Sequence, residues 1–322
     1  MSDREAADFL ATVPLFADRE EADLVGLARM MRRRRLREDE FLWRQGDEPR
    51  EMAFVVSGGV SASLRVAGGR LVELGRAGPG EMVGELALLD GGPRTMGVRA
   101  SEATTVLVLS RPDLAGLLSR QHPWAFSLKR RLMQHSAARL RGQLAGLAGP
   151  PGDGDPPPAA ADAELEWCDP PDSRYMRRMA TFHDFDPLAV WGFLTSGRYA
   201  RCAPGRTLLA EGAPSSACYL TINGAVEKVM VRGGRRVRVG LAGPGKLFGY
   251  EGLIDDRPSP VTAITRERSL LLVLPRDPFE RLFTAEDGIA RVFLDVIQRD
   301  IMVTLRQTLP ALLRSPGAPA AA

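Results

Sequence analysis

The chain has 322 residues, 44% of them hydrophobic, and its 43 basic and 40 acidic residues leave a formal net charge of +3. This length allows two domains that each bury a core, and so small a net charge does not by itself indicate binding to nucleic acid or a membrane. The N-terminus is charged, no run of 18 apolar residues occurs, and the three cysteines form no C-x-x-C pair. The sequence therefore predicts no export signal, no membrane span and a reducing, cytoplasmic compartment.

The first 147 residues combine short strand-like runs with helix-like stretches. The strand-like runs are β-branched or alternate in polarity, and turns rich in glycine separate them, at residues 54–56, 60–64, 71–74 and 98–109. Helix-like stretches flank them at residues 20–31, 112–118 and 125–147. Many short strands at regular spacing predict a mainly β fold of the jelly-roll type with helical flanks.

The stretch from Ala125 to Leu147 carries one apolar stripe. Its hydrophobic residues recur every seven positions, at Phe126, Met133, Leu140 and Leu147. Such a stripe predicts a long helix whose apolar face must be covered. Three arrangements are open: the helix lies over a binding site, pairs with its copy in a homodimer, or faces the core of its own chain.

Residues 148–161 read AGPPGDGDPPPAAA, a composition typical of a linker. We therefore expect a first domain at residues 1–147, a linker at 148–166, a second domain at 167–314 and a disordered tail at 315–322.

The two halves of the chain form an internal repeat. Residues 77–80 and 242–245 both read AGPG, an offset of 165 residues that Gly59 and Gly224 share. The offset is 166 at Gly46, which predicts a one-residue length difference between Gly46 and Gly59. We therefore predict two tandem jelly-roll, or β-roll, domains.

Residues 80–95 carry the most informative motif. Gly84 and Glu85 open a short apolar segment, and Arg94 follows nine residues after the acid. An anionic ligand fits this arrangement, because N–H groups at a helix start attract a phosphate and an arginine can pair with two phosphate oxygens. The alternative is a surface ion pair between Glu85 and Arg94, usually worth only about 0–1 kcal/mol.

The run GELALL at residues 84–89, followed by Pro93, Arg94 and Thr95, resembles the phosphate-binding cassette of the cyclic nucleotide-binding domain family. This family includes kinases and channels regulated by cyclic nucleotides and bacterial regulators of the catabolite-activator type. The turn at residues 44–47 is also similar to the family's. The resemblance implies a binding protein, not an enzyme, with no cofactor or metal and with a cyclic mononucleotide, cAMP or cGMP, as its ligand.

By this resemblance the ligand-binding residues are Gly84, Glu85, Leu86, Ala87, Pro93, Arg94 and Thr95. Glu85 would hold the ribose 2′-hydroxyl, Arg94 would pair with the cyclic phosphate, and the N–H groups of residues 85–87 would cap that phosphate. The Thr95 hydroxyl would favour cGMP by no more than the ~1–2 kcal/mol that one hydrogen bond supplies.

The second repeat lacks these contacts. At the offset of 165, Tyr250, Ser259 and Pro260 stand where the acid, the arginine and the threonine stand in the first repeat. Glu251 and Arg257 could replace the charges only by a shift of register. We therefore expect a degenerate second domain that binds no nucleotide.

Four consecutive arginines at residues 32–35 could bind nucleic acid or acidic lipid. Acidic residues at 38–40 favour instead a solvated strand edge.

These observations predict a bacterial sensor that relays cyclic nucleotide binding to a partner protein by a conformational change. The first alternative is a transcriptional regulator, which needs roughly sixty further residues with a recognition helix. The residues after Pro310 do not supply one, so no direct DNA binding is expected. The second alternative is a scaffold in which both pockets are relics.

Overall fold

The computed structural model describes residues 1–312 apart from gaps at 18, 67–68, 120–121, 148–164, 173–178 and 233–234. The chain forms two compact units, the first comprising Met1–Leu132 and the second Met133–Ala318. The division lies inside the long helix of the first repeat and not at residue 147. The linker expected at residues 148–161 and the tail expected at 315–322 lie outside the described residues.

In the first unit, the described strands form two four-stranded antiparallel sheets with the orders β1–β8–β3–β6 and β2–β7–β4–β5. The strands are β1 Arg32–Leu36, β2 Phe41–Trp43, β3 Glu51–Ser57, β4 Val60–Arg65, β5 Leu71–Ala77, β6 Met82–Val83, β7 Gly97–Ala100 and β8 Thr104–Ser110. Val60, Val98 and Val106 come from both sheets and share one buried cluster. Alternation along the strands places these apolar side chains on the facing surfaces of the sheets.

The helices of the first unit flank the sheets. They are α1 Asp3–Ala11, α2 Glu21–Met30, α3 Glu85–Asp90, α4 Arg111–Leu117 and the first part of α5 Ala125–Ala145. A second buried cluster joins the helical flank to the β1–β8–β3–β6 sheet, and within it the rings of Phe16 and Phe54 lie 5.3 Å apart. The helices predicted at 20–31, 112–118 and 125–147 are confirmed to within two residues at each end.

The second unit repeats this architecture, with sheet orders β15–β12–β17–β10–β9 and β11–β16–β13–β14. Its strands are β9 Glu166–Cys168, β10 Arg198–Cys202, β11 Thr207–Leu209, β12 Ala217–Asn223, β13 Val226–Arg232, β14 Arg235–Ala242, β15 Leu247–Phe248, β16 Thr262–Thr265 and β17 Ser269–Pro275. Its further helices are α6 Pro187–Leu194, α7 Glu251–Ile254, α8 Arg276–Thr284 and α9 Gly288–Leu312. Each strand of the first unit has a counterpart in the same order, which confirms two tandem jelly-roll domains. Within the described ranges, none of the helices has both the length and the apolar content that crossing a bilayer requires.

The tight turns after β3 and β12 correct the alignment of the repeats. Gly58 and Gly224 have φ angles of 77° and 91°. A Cβ on Gly58 would lie 2.8 Å from Thr104 Cα, and a Cβ on Gly224 would lie 2.7 Å from Ser269 Cα. Gly58, and not Gly59, is therefore the counterpart of Gly224. The offset between the repeats is 166 residues where β4 and β13 begin, at Val60 and Val226. It is 165 residues where β5 and β14 end, at Ala77 and Ala242, so the one-residue length difference lies in the β4–β5 hairpin.

The apolar stripe of α5 is covered within the single chain. Met133 and Leu140 have no exposed surface. In the second unit, Gln143 Nε2 donates hydrogen bonds of 2.8 Å to Leu305 O and to Thr308 Oγ1 on α9. The stripe is therefore not exposed for pairing with a second copy, and the expected homodimer through this helix gains no support from its burial.

The four arginines at 32–35 lie on β1, an edge strand that pairs with β8. Arg32 and Arg34 form ion pairs with Glu51, with N···O distances of 2.9 and 3.8 Å. Arg34 also donates a hydrogen bond of 3.0 Å to Phe41 O. These contacts support the interpretation of the run as a solvated strand edge.

Candidate ligand site

The motif at residues 80–95 folds into a turn, one short helix and a loop, as predicted. Strand β6 ends before Gly84, whose φ of 86° lies in the left-handed region, and α3 begins at Glu85. A Cβ at Gly84 would lie 2.5 Å from Trp43 Cη2 and 2.7 Å from Arg94 Nη1. Only glycine fits this position, because of both its backbone conformation and the two side chains that contact it.

The Arg94 side chain lies at the centre of the site and is 4% exposed. Its Nη1 donates a 2.7 Å hydrogen bond to Gly84 O, and its Nη2 donates to Glu51 O. The Trp43 ring covers the guanidinium, with Cζ 3.8 Å from the ring centroid. The remaining donor, Nε, is buried and has no hydrogen-bond partner among the described residues. The guanidinium is therefore held through Nη1 and Nη2, while its Nε lacks an acceptor.

Burial lowers the pKa of Arg94 to about 10, while the carboxylates of Glu51, Glu85 and Asp47 act in the opposite direction. This pKa remains well above neutrality, so the guanidinium keeps its positive charge at pH 7. A buried cation with one unpaired donor favours an anionic ligand.

The loop that carries Arg94 is joined to the turn between β2 and β3. Arg94 N donates to Asp47 O, and Gly46 N donates to Arg94 O, both at 2.9 Å. Asp47 Oδ2 in turn accepts a 2.8 Å hydrogen bond from Arg44 N, which closes the turn. The turn at residues 44–47, noted for its resemblance to the family, thus positions the arginine.

The other predicted ligand-binding residues differ in exposure. Glu85 has no exposed surface and Ala87 is buried, Leu86 and Thr95 are half-buried, and Pro93 is exposed on the loop. The structure thus brings the acid and the arginine together below the surface, which argues against a surface ion pair.

Two residues of the site, Trp43 and Glu51, were not identified from the sequence. Trp43 ends β2 and is 7% exposed, and Glu51 begins β3 and supplies the carbonyl that accepts from Arg94. A large aromatic residue just before the turn at residues 44–47 was the only signal for Trp43. Glu51 contributes a backbone carbonyl, a group that every residue has, so the sequence carried no signal for Glu51.

In the second unit, the side chains at the corresponding positions bond to other groups of the same unit. Tyr250, fully buried, donates a 2.7 Å hydrogen bond from its hydroxyl to Asp300 Oδ2 on α9. Lys228 Nζ lies 3.7 Å from the same oxygen and donates a 3.2 Å hydrogen bond to Thr304 Oγ1. Ser259, at the position of Arg94, donates to Val261 O at 2.7 Å. The predicted loss of both charged contacts is thus accompanied by a network of internal contacts.

Arg257 does not replace the lost arginine, whereas Glu251 begins α7 as Glu85 begins α3. Glu251 is 2% exposed, and its Oε2 has no hydrogen-bond partner among the described residues. Burial raises the pKa of Glu251, an effect that the nearby Lys228 opposes. The Arg257 side chain is exposed, and the Arg257 backbone N donates to Asp255 Oδ1 at 3.2 Å. A shift of register therefore restores a buried acid at the start of the helix but not a buried arginine.

The loop after α7 is held by Arg141, which lies on the part of α5 that belongs to the second unit. Arg141 Nε and Nη2 contact the two carboxylate oxygens of Asp255 at 2.6 and 2.8 Å. Its Nη1 donates to Pro258 O at 2.8 Å. A bidentate contact of this kind fixes geometry as well as contributing energy, so the loop is anchored without a ligand.

The cyclic nucleotide-binding domain model of protein families matches residues 33–121 and 200–286, together more than half of the chain. The chain therefore belongs to the cyclic nucleotide-binding domain family, with one copy in each unit.

Curated relatives and one solved structure are similar to parts of the chain. The chain is 38% identical over 110 residues to a cyclic nucleotide-gated potassium channel of Mesorhizobium japonicum, covering 34% of this chain and 29% of the channel. It is 38% identical over 94 residues to the cyclic AMP receptor protein of Thermus thermophilus, covering 28% of this chain and 44% of that protein. The chain spans less than half the length of the curated relatives it matches. A solved cyclic nucleotide-binding domain from Methylobacillus flagellatus is 26% identical with a TM-score of 0.39, covering 44% of this chain and 79% of that one.

Proposed function

We propose that the chain is a sensor of a cyclic mononucleotide, cAMP or cGMP, which binds in the first unit and whose binding is relayed to a partner protein. The observation that carries this proposal is the Arg94 guanidinium, which is buried, positively charged and unpaired at Nε. A buried donor without an acceptor destabilises a fold by roughly 1–3 kcal/mol, and by more where the group is charged. A phosphate oxygen at Nε would remove that penalty.

The other groups take complementary roles in this proposal. Glu85 accepts a hydrogen bond from the ribose 2′-hydroxyl, and the N–H groups of residues 85–87 cap the phosphate. Thr95 lies beside the phosphate and the base. The electrostatic interaction between Glu85 and Arg94 supports assigning both residues to one ligand.

Each chain should bind one nucleotide. In the second unit, Tyr250 and Lys228 already contact Asp300, and Ser259 contacts a backbone carbonyl. A nucleotide there would have to displace these contacts without gaining an arginine. The second unit is therefore proposed to serve in packing or in contacting the partner.

The names of two relatives, a channel gated by cyclic nucleotides and a cyclic AMP receptor, support the class of ligand. A protein partner and the absence of catalytic activity belong to the same proposal. So does a cytoplasmic location, which the three unpaired thiols Cys168, Cys202 and Cys218 favour.

Calorimetric titration of the full chain with cyclic mononucleotides and cyclic dinucleotides tests the proposal. The wild type should bind one mononucleotide per chain, and Arg94→Ala should weaken binding by roughly 2–5 kcal/mol because it leaves a desolvated phosphate unpaired. Arg29→Ala is the matched control, because this arginine on α2 is 68% exposed and pairs with Asp3 at 3.2 Å. A wild type that binds no cyclic mononucleotide would refute the proposal, and a loss below about tenfold in Arg94→Ala would remove Arg94 from the site.

A further inference from the structure

We propose that a cationic groove on the outer face of the β2–β7–β4–β5 sheet binds an acidic segment of the partner protein, with an affinity that cyclic nucleotide binding changes. This inference rests on the proposed function, to which it adds the surface that the partner contacts and the chemistry by which the partner is recognised.

The groove combines arginines with apolar surface in a volume of about 400 Å³. Arg44, Arg65 and Arg99 line it, and none of the described residues that line it is acidic. Phe41 and Leu71 supply apolar surface, and Leu71 is 36% exposed. Ligand pockets have volumes of about 300–1,000 Å³. The groove can therefore accept an apolar side chain that has carboxylates beside it.

The groove is separate from the site at Arg94. Gly97 and Arg99 line the groove and alternate along β7 with Val98 and Ala100, which belong to the buried cluster between the sheets. Successive side chains of a strand point to opposite faces of a sheet. The groove therefore lies on the face that points away from this cluster.

Two of the three arginines carry charges that the first unit does not neutralise. The Arg44 guanidinium stacks on Phe41, with Cζ 4.1 Å from the ring centroid. Within the described residues, neither Arg44 nor Arg65 forms an ion pair, whereas Arg99 Nη1 pairs with Asp39 at 2.8 Å. Stacking on an aromatic ring orients the first guanidinium, so a carboxylate would meet a cation that is already positioned.

The second unit has no arginine at these three places. The pairing of β7 with β2 and β4 recurs in the pairing of β16 with β11 and β13, which aligns the two sheets residue by residue. In this alignment the places of Arg44, Arg65 and Arg99 are taken by Ala210, Val231 and Ile264. The cationic groove is therefore a property of the first unit and not of the shared fold.

On the same face of the second unit, an internal acid neutralises the arginines. Glu227 stands in the place of Ser61 and forms ion pairs with Arg236, Arg238 and Arg266, with N···O distances of 3.6, 3.7 and 3.3 Å. The first unit has a serine at this place. An acid for Arg44 and Arg65 would thus be supplied by another molecule.

The spread of the arginines favours a ligand with several charges. Arg44 follows β2 and Arg65 ends β4, and β7 lies between these two strands. Neighbouring strands lie about 4.8 Å apart, so β2 and β4 are about 10 Å apart. Side chains on one face of an extended peptide recur about every 7 Å. A peptide with several acidic residues matches this spacing better than one small anion does.

The groove shares a turn with the nucleotide site. Gln45 and Gly46 line the groove, and Gly46 N donates a 2.9 Å hydrogen bond to Arg94 O. Gln45 Oε1 accepts a 2.7 Å hydrogen bond from Arg65 N, which joins the turn to β4. A ligand that shifts the loop of Arg94 therefore shifts one wall of the groove, and the coupling acts equally in both directions.

Calorimetric titration of the full chain with a short synthetic peptide tests the groove. The peptide carries glutamates on both sides of a leucine, and a second peptide with glutamine in place of each glutamate is its control. The groove variant, Arg44→Ala with Arg65→Val, introduces the residues that the second unit has at these places. The matched control, Arg4→Ala with Arg29→Ala, removes two arginines of α1 and α2 that are 78% and 68% exposed. Thermal unfolding verifies that each variant is folded.

We expect the wild type and the control variant to bind the acidic peptide and not the glutamine peptide. The groove variant should lose at least about tenfold in affinity, because each exposed ion pair contributes up to about 1 kcal/mol. Binding should weaken as the salt concentration rises. Saturating cAMP or cGMP should change the affinity of the wild type for the acidic peptide by at least about fivefold.

If the acidic peptide does not bind, or binds the groove variant as tightly as the wild type, the groove is wrong. Citrate that binds as tightly as the peptide would refute recognition of a peptide segment. A peptide affinity that the nucleotide leaves unchanged would overturn the coupling. Titration with nucleotide alone decides the proposed function separately, since a wild type that binds nucleotide but no peptide loses only the groove.

Hydrogen exchange decides the location of binding if the groove variant does not fold. Protection of the wild type should increase at residues 41–46 and 60–65 when the acidic peptide is added. Unchanged exchange in both segments would overturn the groove.

Discussion

The buried pair between Lys228 and Asp300 in the second unit is best tested by removing its cation. The two side chains are 4% and 6% exposed, their charged atoms are 3.7 Å apart, and Tyr250 donates to the same carboxylate oxygen. Lys228→Met keeps most of the volume of the side chain but leaves the Asp300 charge without its cation. Removal of one partner from a buried pair destabilises a protein by about 3–5 kcal/mol. Because the Tyr250 hydrogen bond remains, we expect a value at the lower end of that range.

Two further variants separate charge from packing. Tyr250→Phe removes one hydrogen bond to a charged group and should cost about 1.5–3 kcal/mol. The double change of Lys228 to Met and Asp300 to Leu removes both charges, and it should be considerably more stable than Lys228→Met alone, because no buried charge is left uncompensated.

The assay is urea unfolding of the full chain combined with hydrogen exchange read by mass spectrometry. Two units need not unfold in one transition, so exchange identifies where stability is lost. Protection should fall in β13 and α9 and stay unchanged in the β2–β7–β4–β5 sheet. Lys246→Met, at a half-buried lysine in the turn before β15, is the control and should change little. A loss below about 1 kcal/mol for Lys228→Met, with α9 protection intact, would show that the pair between Lys228 and Asp300 does not stabilise the second unit.

Glu251→Gln should raise the midpoint of thermal unfolding at pH 7–8. Burial raises the pKa of Glu251 in the folded state above its ordinary value of 4.5, so the wild type loses stability as the pH rises through the folded-state pKa. The advantage of the variant should vanish in acid below the unfolded pKa, and an advantage that persists there would contradict this cause. Thr95→Ala should remove ~1–2 kcal/mol of preference for cGMP in competition titrations and leave cAMP affinity within a few-fold. A wild type that binds cAMP at least as tightly as cGMP would exclude Thr95 as the selector. Arg141→Ala should lower the urea stability of the second unit by roughly 1.5–3 kcal/mol through its contact with Asp255, and a change within 0.5 kcal/mol would place it among ordinary surface substitutions.

Local features of the fold were readable from the sequence. Strand and helix positions follow from the period of apolar residues and from glycine-rich turns, which act within a few residues. Gly84 could be identified because its neighbours, Glu85 and the later Arg94, form a pattern of fixed spacing. Gly58 and Gly59 could not be distinguished, because adjacent glycines satisfy the same pattern and only the φ angle of 77° at Gly58 decides between them.

The contact between Lys228 and Asp300 and the contact between Trp43 and Arg94 could not be predicted from the sequence. Lys228 and Asp300 are far apart in sequence and meet only because α9 lies against β13 with one particular rotation about its axis. The period of a helix indicates which of its faces is apolar, but not which polar residue at the border of that face meets a partner. The contact of Trp43 with Arg94 likewise depends on how two loops and a strand end come together.

The division of the chain inside α5 also determines whether the two repeats can be separated into independent proteins. The sequence repeat ends near residue 147, whereas the helix that ends it contributes Met133, Leu140 and Arg141 to the second unit. A gene cut between the repeats would leave these residues on one product and their contacts on the other. Deletion of the first repeat up to residue 147 should therefore remove buried contacts of the second unit.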